Sequence, residues 1–292
     1  MPGGVEPSNL DKVFWPDKGL TKGDLLSYFD RMAPFILPAV RDRPLTVKRF
    51  PDGVGGFSFF QKNLPSYTPP WVKRIRLPAE SARREVDYPL CNSRRTLLWL
   101  GNQAAIELHP WVSRVDQLER PDHLVMDLDP AEGGFERAVE IAFVVKAVLE
   151  EVGLTGATKT SGAKGVHVFV PLQRRYHYGQ VRAAANELAR RVEERVPERA
   201  TTEFKVAARG DRVYLDAGRN APGAHVVAVY SPRARPAASV SFPVPWDDLG
   251  GVRPEDFTIE NAPKLLAGGD RWRQLMPKPQ VLPKALRPPA RR

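Results

Sequence analysis

Two aspartates separated by one residue carry the sharpest chemical signal in this sequence. They lie in His123-Leu-Val-Met-Asp127-Leu-Asp129-Pro130, a short apolar run that ends at a proline. Side chains alternate between the faces of a β-strand, so Asp127 and Asp129 would point the same way. Carboxylates that close repel each other unless a cation lies between them, and oxygen ligands suit Mg²⁺ or Mn²⁺. The alternative interpretation is a pair of aspartates that form a turn or cap the next helix.

A third acid follows a similar pattern further along the chain. The segment Arg212-Val-Tyr-Leu-Asp216 is typical of a strand that ends in a carboxylate. Beside Asp127 and Asp129, Asp216 would complete a site for two divalent ions about 3.5 to 4 Å apart, which is an arrangement that serves phosphoryl transfer. Considered alone, Asp216 also fits a capping residue before a turn.

Between these acidic segments lies a glycine-rich stretch with the outline of a phosphate cradle. In Ser161-Gly-Ala-Lys164-Gly-Val-His167, the glycines let backbone N–H groups approach an anion, while the hydroxyl and the ammonium add donors. It is not the nucleotide-binding loop in which Gly-Lys-Ser/Thr opens a helix, because a β-branched strand follows it. His167 lies on that strand, where a lone histidine is more often structural than catalytic.

Further candidates lie nearer the N-terminus. His109 closes the apolar run Ile106-Glu-Leu-His109, and it either approaches the same site or is satisfied by a backbone carbonyl. Phe59 and Phe60 follow Lys48 in sequence, and aromatic faces beside cations suit base stacking and phosphate neutralisation. Ordinary core packing explains such phenylalanines equally well. Lys22, considered alone, is most simply a solvated lysine at the start of a helix.

Composition narrows the class of protein. The 292 residues allow one large domain or two small ones, and 42% hydrophobic with 27% charged residues is ordinary globular usage. Lone Cys91 excludes an internal disulfide, and no apolar run has the length of a membrane span, so we expect a cytoplasmic protein without a membrane partner. The formal net charge of +10 favours nucleic acid or nucleotide partners, although it also serves solubility.

The elements that must position these residues are expected to be short, because 29 prolines punctuate the chain. Hydrophobic periodicity predicts helices over 22–40, 135–152 and 178–196. Strands are predicted at 45–50, 56–60, 96–100, 104–108, 123–129, 157–160, 166–170, 202–206, 212–216 and 226–230. The mixture without strict alternation predicts an α+β fold with mixed sheets flanked by helices. The basic, proline-rich segment 277–292 predicts an extended arm or disorder.

Taken together, these motifs resemble the primase-polymerase domain of bacterial non-homologous end-joining ligases (ligase D), within the archaeo-eukaryotic primase superfamily. The motifs that carry the resemblance run through nearly the whole chain: Lys12-Val-Phe-Trp-Pro, Thr21-Lys22-Gly23, Lys48-Arg-Phe-Pro-Asp-Gly, Phe59-Phe-Gln-Lys-Asn, Glu107-Leu-His-Pro, Asp127-Leu-Asp-Pro, Ser161-Gly-x-Lys-Gly-x-His, Asp216 and Tyr230-Ser-Pro-Arg233. Each motif is weak alone, but their order is highly specific.

The resemblance implies a palm-like catalytic domain over 1–276, with DNA-end and template contacts in 1–95 and the metal and nucleotide site in 96–276. The roles that it implies are two manganese or magnesium ions on Asp127, Asp129 and Asp216; nucleotide contacts from His109, Ser161, Lys164, His167, Arg233 and Lys48; and DNA contacts from Lys12, Lys22, Phe59 and Phe60. His109 is implied near the sugar, and the two lysines are implied at the 5′-phosphate of a downstream strand.

The implied function is a DNA-dependent DNA or RNA polymerase that adds NTPs or dNTPs, with a preference for ribonucleotides, to ends and gaps in double-strand-break repair. Ku and a DNA ligase are its candidate partners, and nucleoid association follows. After Asp216 the family commonly has Gln-Asn, whereas this chain has Ala217-Gly-Arg219-Asn220, in which Arg219 is still able to serve phosphate. The sequence lacks the Lys-x-Asp-Gly ligase motif, so we expect a stand-alone member or one domain of a longer protein.

Two other classes of protein fit part of the pattern. A metal-dependent glycosyltransferase also uses Asp-x-Asp with manganese and a nucleotide, but it needs neither the third carboxylate nor the basic charge. A non-catalytic module that binds DNA ends would bind DNA without incorporating nucleotides, and the presence of all three acids argues against it.

Overall fold

The computed structural model describes residues 6–79, 83–131 and 134–287. The helices are α1 (Lys22–Val40), α2 (Arg94–Asn102), α3 (Phe135–Glu151), α4 (Tyr178–Arg195), α5 (Ala262–Leu265) and α6 (Arg271–Leu275). The strands are β1 (Val13–Trp15), β2 (Leu20–Thr21), β3 (Leu45–Arg49), β4 (Phe59–Gln61), β5 (Arg74–Ala79), β6 (Arg84–Pro89), β7 (Ala105–Pro110), β8 (His123–Asp129), β9 (Ala157–Thr160), β10 (Val166–Pro171), β11 (Ala200–Thr201), β12 (Val213–Asp216) and β13 (Pro243–Val244).

The chain divides into two compact units, each made of three segments. The first unit holds Met1–Asp116, His225–Ser241 and Glu255–Asp270, and the second holds Gln117–Ala224, Phe242–Pro254 and Arg271–Arg292. Among the described residues the first unit has three sheets and the second has one, and helices occur in both, which confirms the predicted α+β class. Within the described ranges we find no helix that is both long and apolar enough to cross a membrane.

In the first unit, helices pack beside an antiparallel sheet with the strand order β4-β3-β7. Helix α1 begins with a capping box in which Thr21 and Asp24 satisfy each other's backbone N–H groups. Helix α2 lies close against α1, because a Cβ at Gly101 would be only 2.8 Å from the Phe29 ring. The absence of a side chain at Gly101 therefore permits this close contact between the two helices.

The second unit is built on a six-stranded sheet with the order β11-β12-β8-β10-β9-β13. Strand β8 lies near its centre and pairs antiparallel with both β12 and β10. The apolar face is lined by fully buried side chains, among them Met126 and Leu128 of β8 and Val168 of β10. Helices α3 and α4 contact each other and this sheet. The alternation in β8 therefore leaves the side chain of Asp127 on the face opposite Met126.

Several predicted elements differ in the structure. The predicted strand at 96–100 is wrong, since this run is helical in α2 and its N-terminus is capped by Ser93. All five of its residues are buried, so the hydrophobic pattern has no helical period to reveal. The predicted strands at 202–206 and 226–230 are also wrong, and the hairpin of β5 and β6 was not predicted.

The described part of the proline-rich tail packs on the second unit. Gln280 forms a β-bridge with Leu172, and Leu282 and Leu286 are buried. These contacts anchor 277–287, which is irregular up to a 3₁₀ turn at Lys284–Leu286, because its two leucines supply apolar surface that the prolines do not. Residues 288–292 lie outside the described residues.

Candidate active site

One row of functional side chains crosses the sheet of the second unit. In the antiparallel register, Asp127 of β8 lies opposite Asp216 of β12 and opposite His167 of β10. His167 in turn lies opposite Lys159 of β9. Residues directly opposite on antiparallel strands share a face, with Cβ atoms about 4.5 to 5.5 Å apart. The fold therefore brings two of the three predicted acids and His167 side by side.

The two carboxylates share one cationic group, Arg219. The Arg219 Nε atom is 2.9 Å from Asp127 Oδ2 and 3.1 Å from Asp216 Oδ2. Arg219 is held there by a single 3₁₀ turn after β12, which Asp216 caps by accepting the Gly218 N–H at 2.9 Å. Asp216 is thus both a capping residue and a member of the acid pair. Its interpretations as a cap and as a partner of Asp127 are therefore compatible.

Their surroundings shift the pKa values of these two acids in opposite directions. Burial opposes ionisation of Asp127, but the contacts from His167 and Arg219 outweigh it and hold its pKa well below the usual range. Burial raises the pKa of Asp216, and the neighbouring Asp127 carboxylate adds to this rise against the effect of Arg219. Asp216 is therefore the acid that depends more on a nearby cation to stay ionised.

A buried lysine orients His167. The Lys159 side chain is fully buried, and its ammonium donates to His167 Nδ1 at 2.8 Å. An ammonium only donates hydrogen bonds, so Nδ1 accepts here and the ring proton lies on Nε2, which is 3.2 Å from Asp127 Oδ1. No sequence motif indicated a role for Lys159. Its contact with His167 follows from its position opposite His167 on the neighbouring strand.

The third predicted acid, Asp129, lies one row further along β8, opposite Tyr214. Lys164 places its Nζ 3.3 Å from Asp129 Oδ1, and an Arg209 nitrogen is 3.9 Å from Oδ2. Both Lys164 and Asp129 are partly exposed, at 34% and 40% of their side-chain surface. Asp129 therefore faces the same side of the sheet as Asp127, with its own basic neighbours.

The glycine-rich loop between β9 and β10 is organised around Ser161. Its Oγ atom accepts the N–H groups of Ala163 at 3.1 Å and Gly165 at 3.0 Å. These two N–H groups therefore hold the loop together in the structure, whereas the sequence pattern suggested that they approach an anion. A Cβ at Gly165 would be 2.3 Å from the Leu128 carbonyl oxygen, so this close approach to β8 requires glycine.

No group of three or more His, Cys, Asp and Glu side chains within the described ranges is arranged to hold a metal ion. The donor chemistry nevertheless fits a divalent cation, because Asp127 and Asp216 already converge on one cationic nitrogen and supply hard oxygen ligands. Arg219 now makes the contacts that such an ion would make.

A second cluster of candidate residues lies in the first unit and is centred on Glu107. The carboxylate places Oε2 3.0 Å from His109 Nε2 and Oε1 3.2 Å from Arg233 Nε. Burial opposes ionisation of Glu107, but His109 and Arg233 more than offset it and lower its pKa well below the usual range. Two residues predicted to contact the nucleotide thus share one buried carboxylate, although the sequence pattern gave Glu107 no role.

Aromatic rings adjoin this cluster. Lys48 lies opposite both Phe60 and Glu107 in the sheet, with its Nζ 5.4 Å from the centroid of the Phe60 ring. The exposed Phe60 ring lies 5.4 Å from the His109 ring and 5.7 Å from the His225 ring. Phe60 is thus a surface ring rather than a core residue, and His225 is a neighbour that sequence analysis missed.

Phe59 lies on the same strand with a different set of neighbours. Its ring stacks on Phe57 at 5.6 Å, and the Arg49 guanidinium lies 5.5 Å from its centroid. The predicted pattern of aromatic rings beside cations is therefore present at both phenylalanines.

The two lysines predicted to hold a DNA 5′-phosphate lie near the start of α1. Lys22 is buried, so its interpretation as a solvated lysine is wrong, and its Nζ donates to the Ser8 carbonyl at 2.6 Å. Burial, followed by the charges of Lys12 and Arg49, lowers the pKa of Lys22. Lys12 pairs with Asp52 at 2.9 Å on the surface. The charges of Lys12, Lys22 and Arg49 are therefore close enough to influence one another.

Known proteins are similar to this chain in sequence and in fold. The model of the LigD primase-polymerase domain family matches residues 21–272. This chain belongs to that family. It is 33% identical over 248 residues to the multifunctional non-homologous end joining protein LigD of Mycolicibacterium smegmatis, covering 84% of this chain and 32% of that protein. It is 32% identical over 256 residues to the bifunctional LigD of Bacillus subtilis, covering 87% of this chain and 41% of that protein.

A solved structure matches the fold over almost its full length. The polymerase domain of Mycobacterium tuberculosis ligase D, in complex with DNA, superposes with a TM-score of 0.85 and 30% sequence identity. The match covers 93% of this chain and 97% of that domain, whereas this chain spans about a third to two-fifths of the two curated relatives. Membership places this LigD primase-polymerase domain among the nucleotidyltransferases, and neither the glycosyltransferase nor the non-catalytic alternative is favoured.

Proposed function

We propose that this domain adds NTPs or dNTPs, directed by a template, to DNA ends and gaps during non-homologous end joining. The observation that carries the proposal is the convergence of Asp127 and Asp216 on one cation beside His167, within a family member. Further support comes from the match to a ligase D polymerase domain in complex with DNA. The named relatives are end joining proteins, so Ku and a DNA ligase are the proposed partners.

Asp127, Asp129 and Asp216 are the residues that would hold two divalent ions, Mn²⁺ or Mg²⁺. When bound, such ions polarise a phosphoryl oxygen and assist both the attacking and the leaving oxygen. For the acids to act as ligands, Arg219 must leave its present contact, and it is partly exposed. Lys159 meanwhile keeps the His167 proton on Nε2, where that N–H steadies Asp127.

Basic and hydroxyl groups would bind the incoming nucleotide. Ser161, Lys164, His167 and Arg233 are the candidates for the triphosphate, and Lys48 is a candidate for a further nucleotide contact. His109 would contact the sugar. Charge-assisted hydrogen bonds of this kind orient phosphate groups as well as bind them, so these residues would align the α-phosphate for attack.

The first unit would contact DNA through two kinds of side chain. Phe60 is exposed and Phe59 is partly exposed, and stacking on such rings tolerates any base. Lys12 and Lys22 would bind the 5′-phosphate of a downstream strand, which makes gaps preferred substrates.

The test is nucleotide addition to a gapped duplex with a 5′-phosphate, in the presence of Mn²⁺ and one NTP or dNTP at a time. We expect the primer to grow by one nucleotide, and the preferred nucleotide to change when the templating base is changed. A duplex with the same sequence but a 5′-hydroxyl is the matched substrate control. Failure to extend any primer, or addition that ignores the template, would contradict the proposal.

A further inference from the structure

Glu107 is a buried acid with a distinct set of donors on each oxygen. Its side chain is only 6% exposed. Oε1 accepts the Ala234 backbone N–H at 3.2 Å and lies 3.2 Å from Arg233 Nε in an ion pair, whereas Oε2 contacts His109 Nε2 at 3.0 Å. A buried carboxylate is costly unless such partners surround it. The geometry therefore couples the orientation of Arg233 to that of His109 through one group.

This carboxylate also joins two segments that are distant in sequence. The chain around 226–231 runs along β7, where Ala228 donates to the Leu108 carbonyl at 2.8 Å and Leu108 donates to Ser231 Oγ at 2.9 Å. These bonds fix the backbone as far as Ser231. The contacts of Glu107 extend the connection by side-chain atoms to Arg233 and Ala234, beyond the last of these bonds. Glu107 thus gives Arg233 a side-chain contact with β7.

The same contact decides which nitrogen of His109 carries a proton. An ionised carboxylate only accepts hydrogen bonds, so the His109 Nε2 atom that faces it is protonated. In a neutral ring Nδ1 is then the acceptor. On the other side of Glu107, an ion pair joins Oε1 to Arg233 Nε at 3.2 Å and keeps the guanidinium beside the carboxylate.

We infer that Glu107 is a positioning residue of the nucleotide site, which sets the tautomer of His109 and the orientation of Arg233 before a nucleotide arrives. The inference rests on the proposed function, because it requires His109 and Arg233 to contact the nucleotide. Glu107 itself contacts no reacting atom and acts through these two residues. Its removal therefore weakens nucleotide binding more than it slows the chemical step.

The experiment compares Glu107→Gln with wild type in gap filling, and it adds double-mutant cycles with Arg233→Ala and His109→Ala. Glutamine has nearly the same shape but lacks the charge, and its amide nitrogen places a donor against one of the two basic partners. We expect the KM for the nucleotide to rise about tenfold while kcat changes less than about threefold. In the Arg233→Ala background, and likewise in the His109→Ala background, we expect Glu107→Gln to raise KM by clearly less than about tenfold, since one of its two targets is already absent.

Glu193→Gln is the matched control, because Glu193 also accepts several hydrogen bonds, from Thr201 and Thr202, and has no role in the proposed site. Its KM should equal that of wild type. An unchanged KM in Glu107→Gln would overturn the inference. The inference would also be overturned if Glu107→Gln raised KM by the same factor in the Arg233→Ala and His109→Ala backgrounds as in wild type. If Glu107→Gln does not fold, Glu107→Asp keeps the charge, is one methylene shorter, and should show the same rise in KM.

A direct titration with a fluorescent ribonucleoside triphosphate analogue, without DNA, separates this inference from the function on which it rests. If wild type extends primers and Glu107→Gln binds the analogue as tightly as wild type does, only the role of Glu107 is overturned. If wild type neither extends primers nor binds the analogue, both the proposed function and this inference are overturned.

Discussion

The two clusters of charged side chains are built with opposite polarity. In the first unit a carboxylate, Glu107, lies at the centre, with the basic groups of His109 and Arg233 around it. In the second unit a basic group, Arg219, lies at the centre of two carboxylates. Their exposure differs as well, since the Arg233 side chain is 18% exposed and that of Arg219 is 39% exposed.

This difference separates a preformed arrangement from an exchangeable one. Glu107 is buried and is held by two hydrogen bonds and an ion pair, so its basic partners are positioned in the absence of any ligand. Arg219 reaches the solvent and satisfies two acids with a single nitrogen atom, so another cation can replace it at lower cost. The proposed roles match this difference, with nucleotide contacts assigned to the preformed cluster and divalent ions assigned to the exchangeable one.

The largest effect is expected from an acid of the exchangeable cluster. Asp127→Ala removes the carboxylate that contacts both His167 and Arg219, so nucleotide addition should fall at least about 10³-fold, because the contribution of a bound metal ion is several kcal/mol. DNA affinity should stay near that of wild type, since it depends on basic groups. Primer extension and a DNA titration at fixed salt measure the two effects. Addition at the wild-type rate would remove Asp127 from the site, and exposed Asp248→Ala is the control.

Arg219→Gln tests whether the central cation of the second cluster is exchangeable. Without Arg219, Asp127 and Asp216 repel each other, so the metal-free variant should melt about 2 to 6 °C below wild type, which corresponds to roughly 1 to 2 kcal/mol for a chain of this size. Mn²⁺ should then raise the melting temperature of the variant more than that of wild type, because no side chain competes. Thermal melts with and without Mn²⁺ measure both.

The control for this prediction is Arg199→Gln, since Arg199 pairs with Glu140 on the surface and should leave both melting temperatures unchanged. Equal responses of Arg219→Gln and wild type to Mn²⁺ would show that Arg219 does not compete with the cation, and the contrast between the clusters would then fail.

Sequence patterns predicted the strands and acids of the second cluster well, because period-two alternation and a terminal proline define β8 locally. The bounds of β8 and β9 are confirmed, whereas the position of His167 opposite Asp127 emerges only from the strand register. The charged partners were harder to find. Glu107 and Lys159 act through cross-strand register and through contacts up to 126 residues apart in sequence, which no local pattern records. The helix α2 was missed for another reason, since a fully buried run loses its periodicity.

Lys12 and Lys22 form a basic site that differs from both clusters. The Lys22 ammonium is held by the carbonyl and hydroxyl oxygens of Ser8 and lies near Lys12 and Arg49, so an added phosphate would relieve the repulsion of these cations. The double variant Lys12→Ala, Lys22→Ala should lose at least about tenfold in its preference for a 5′-phosphorylated gap over the hydroxyl form, since it loses two charge-assisted contacts. Binding titrations on both gaps at one salt concentration measure this.

An open primer-template without a downstream strand is the matched substrate, and the double variant should use it as wild type does. Exposed Lys18→Ala is the control variant, with an unchanged preference. A double variant that still prefers the phosphorylated gap as strongly as wild type would place the phosphate elsewhere.

The smallest effect on stability is expected for Lys164→Ala. This variant allows an exposed ion pair to be compared with the buried pair of Arg233 and Glu107. Lys164 and Asp129 form an ion pair that is about one-third exposed on each side, and such pairs contribute about 0 to 1 kcal/mol to stability. Lys164→Ala should therefore leave the free energy of unfolding within about 0.5 kcal/mol of wild type while raising the nucleotide KM about threefold. Arg233→Ala, in contrast, leaves the buried Glu107 without its closest guanidinium and should destabilise the domain measurably. Urea denaturation and steady-state kinetics on both variants test the pair. If Lys164→Ala costs as much stability as Arg233→Ala, then exposure does not separate a preformed cluster from an exchangeable one.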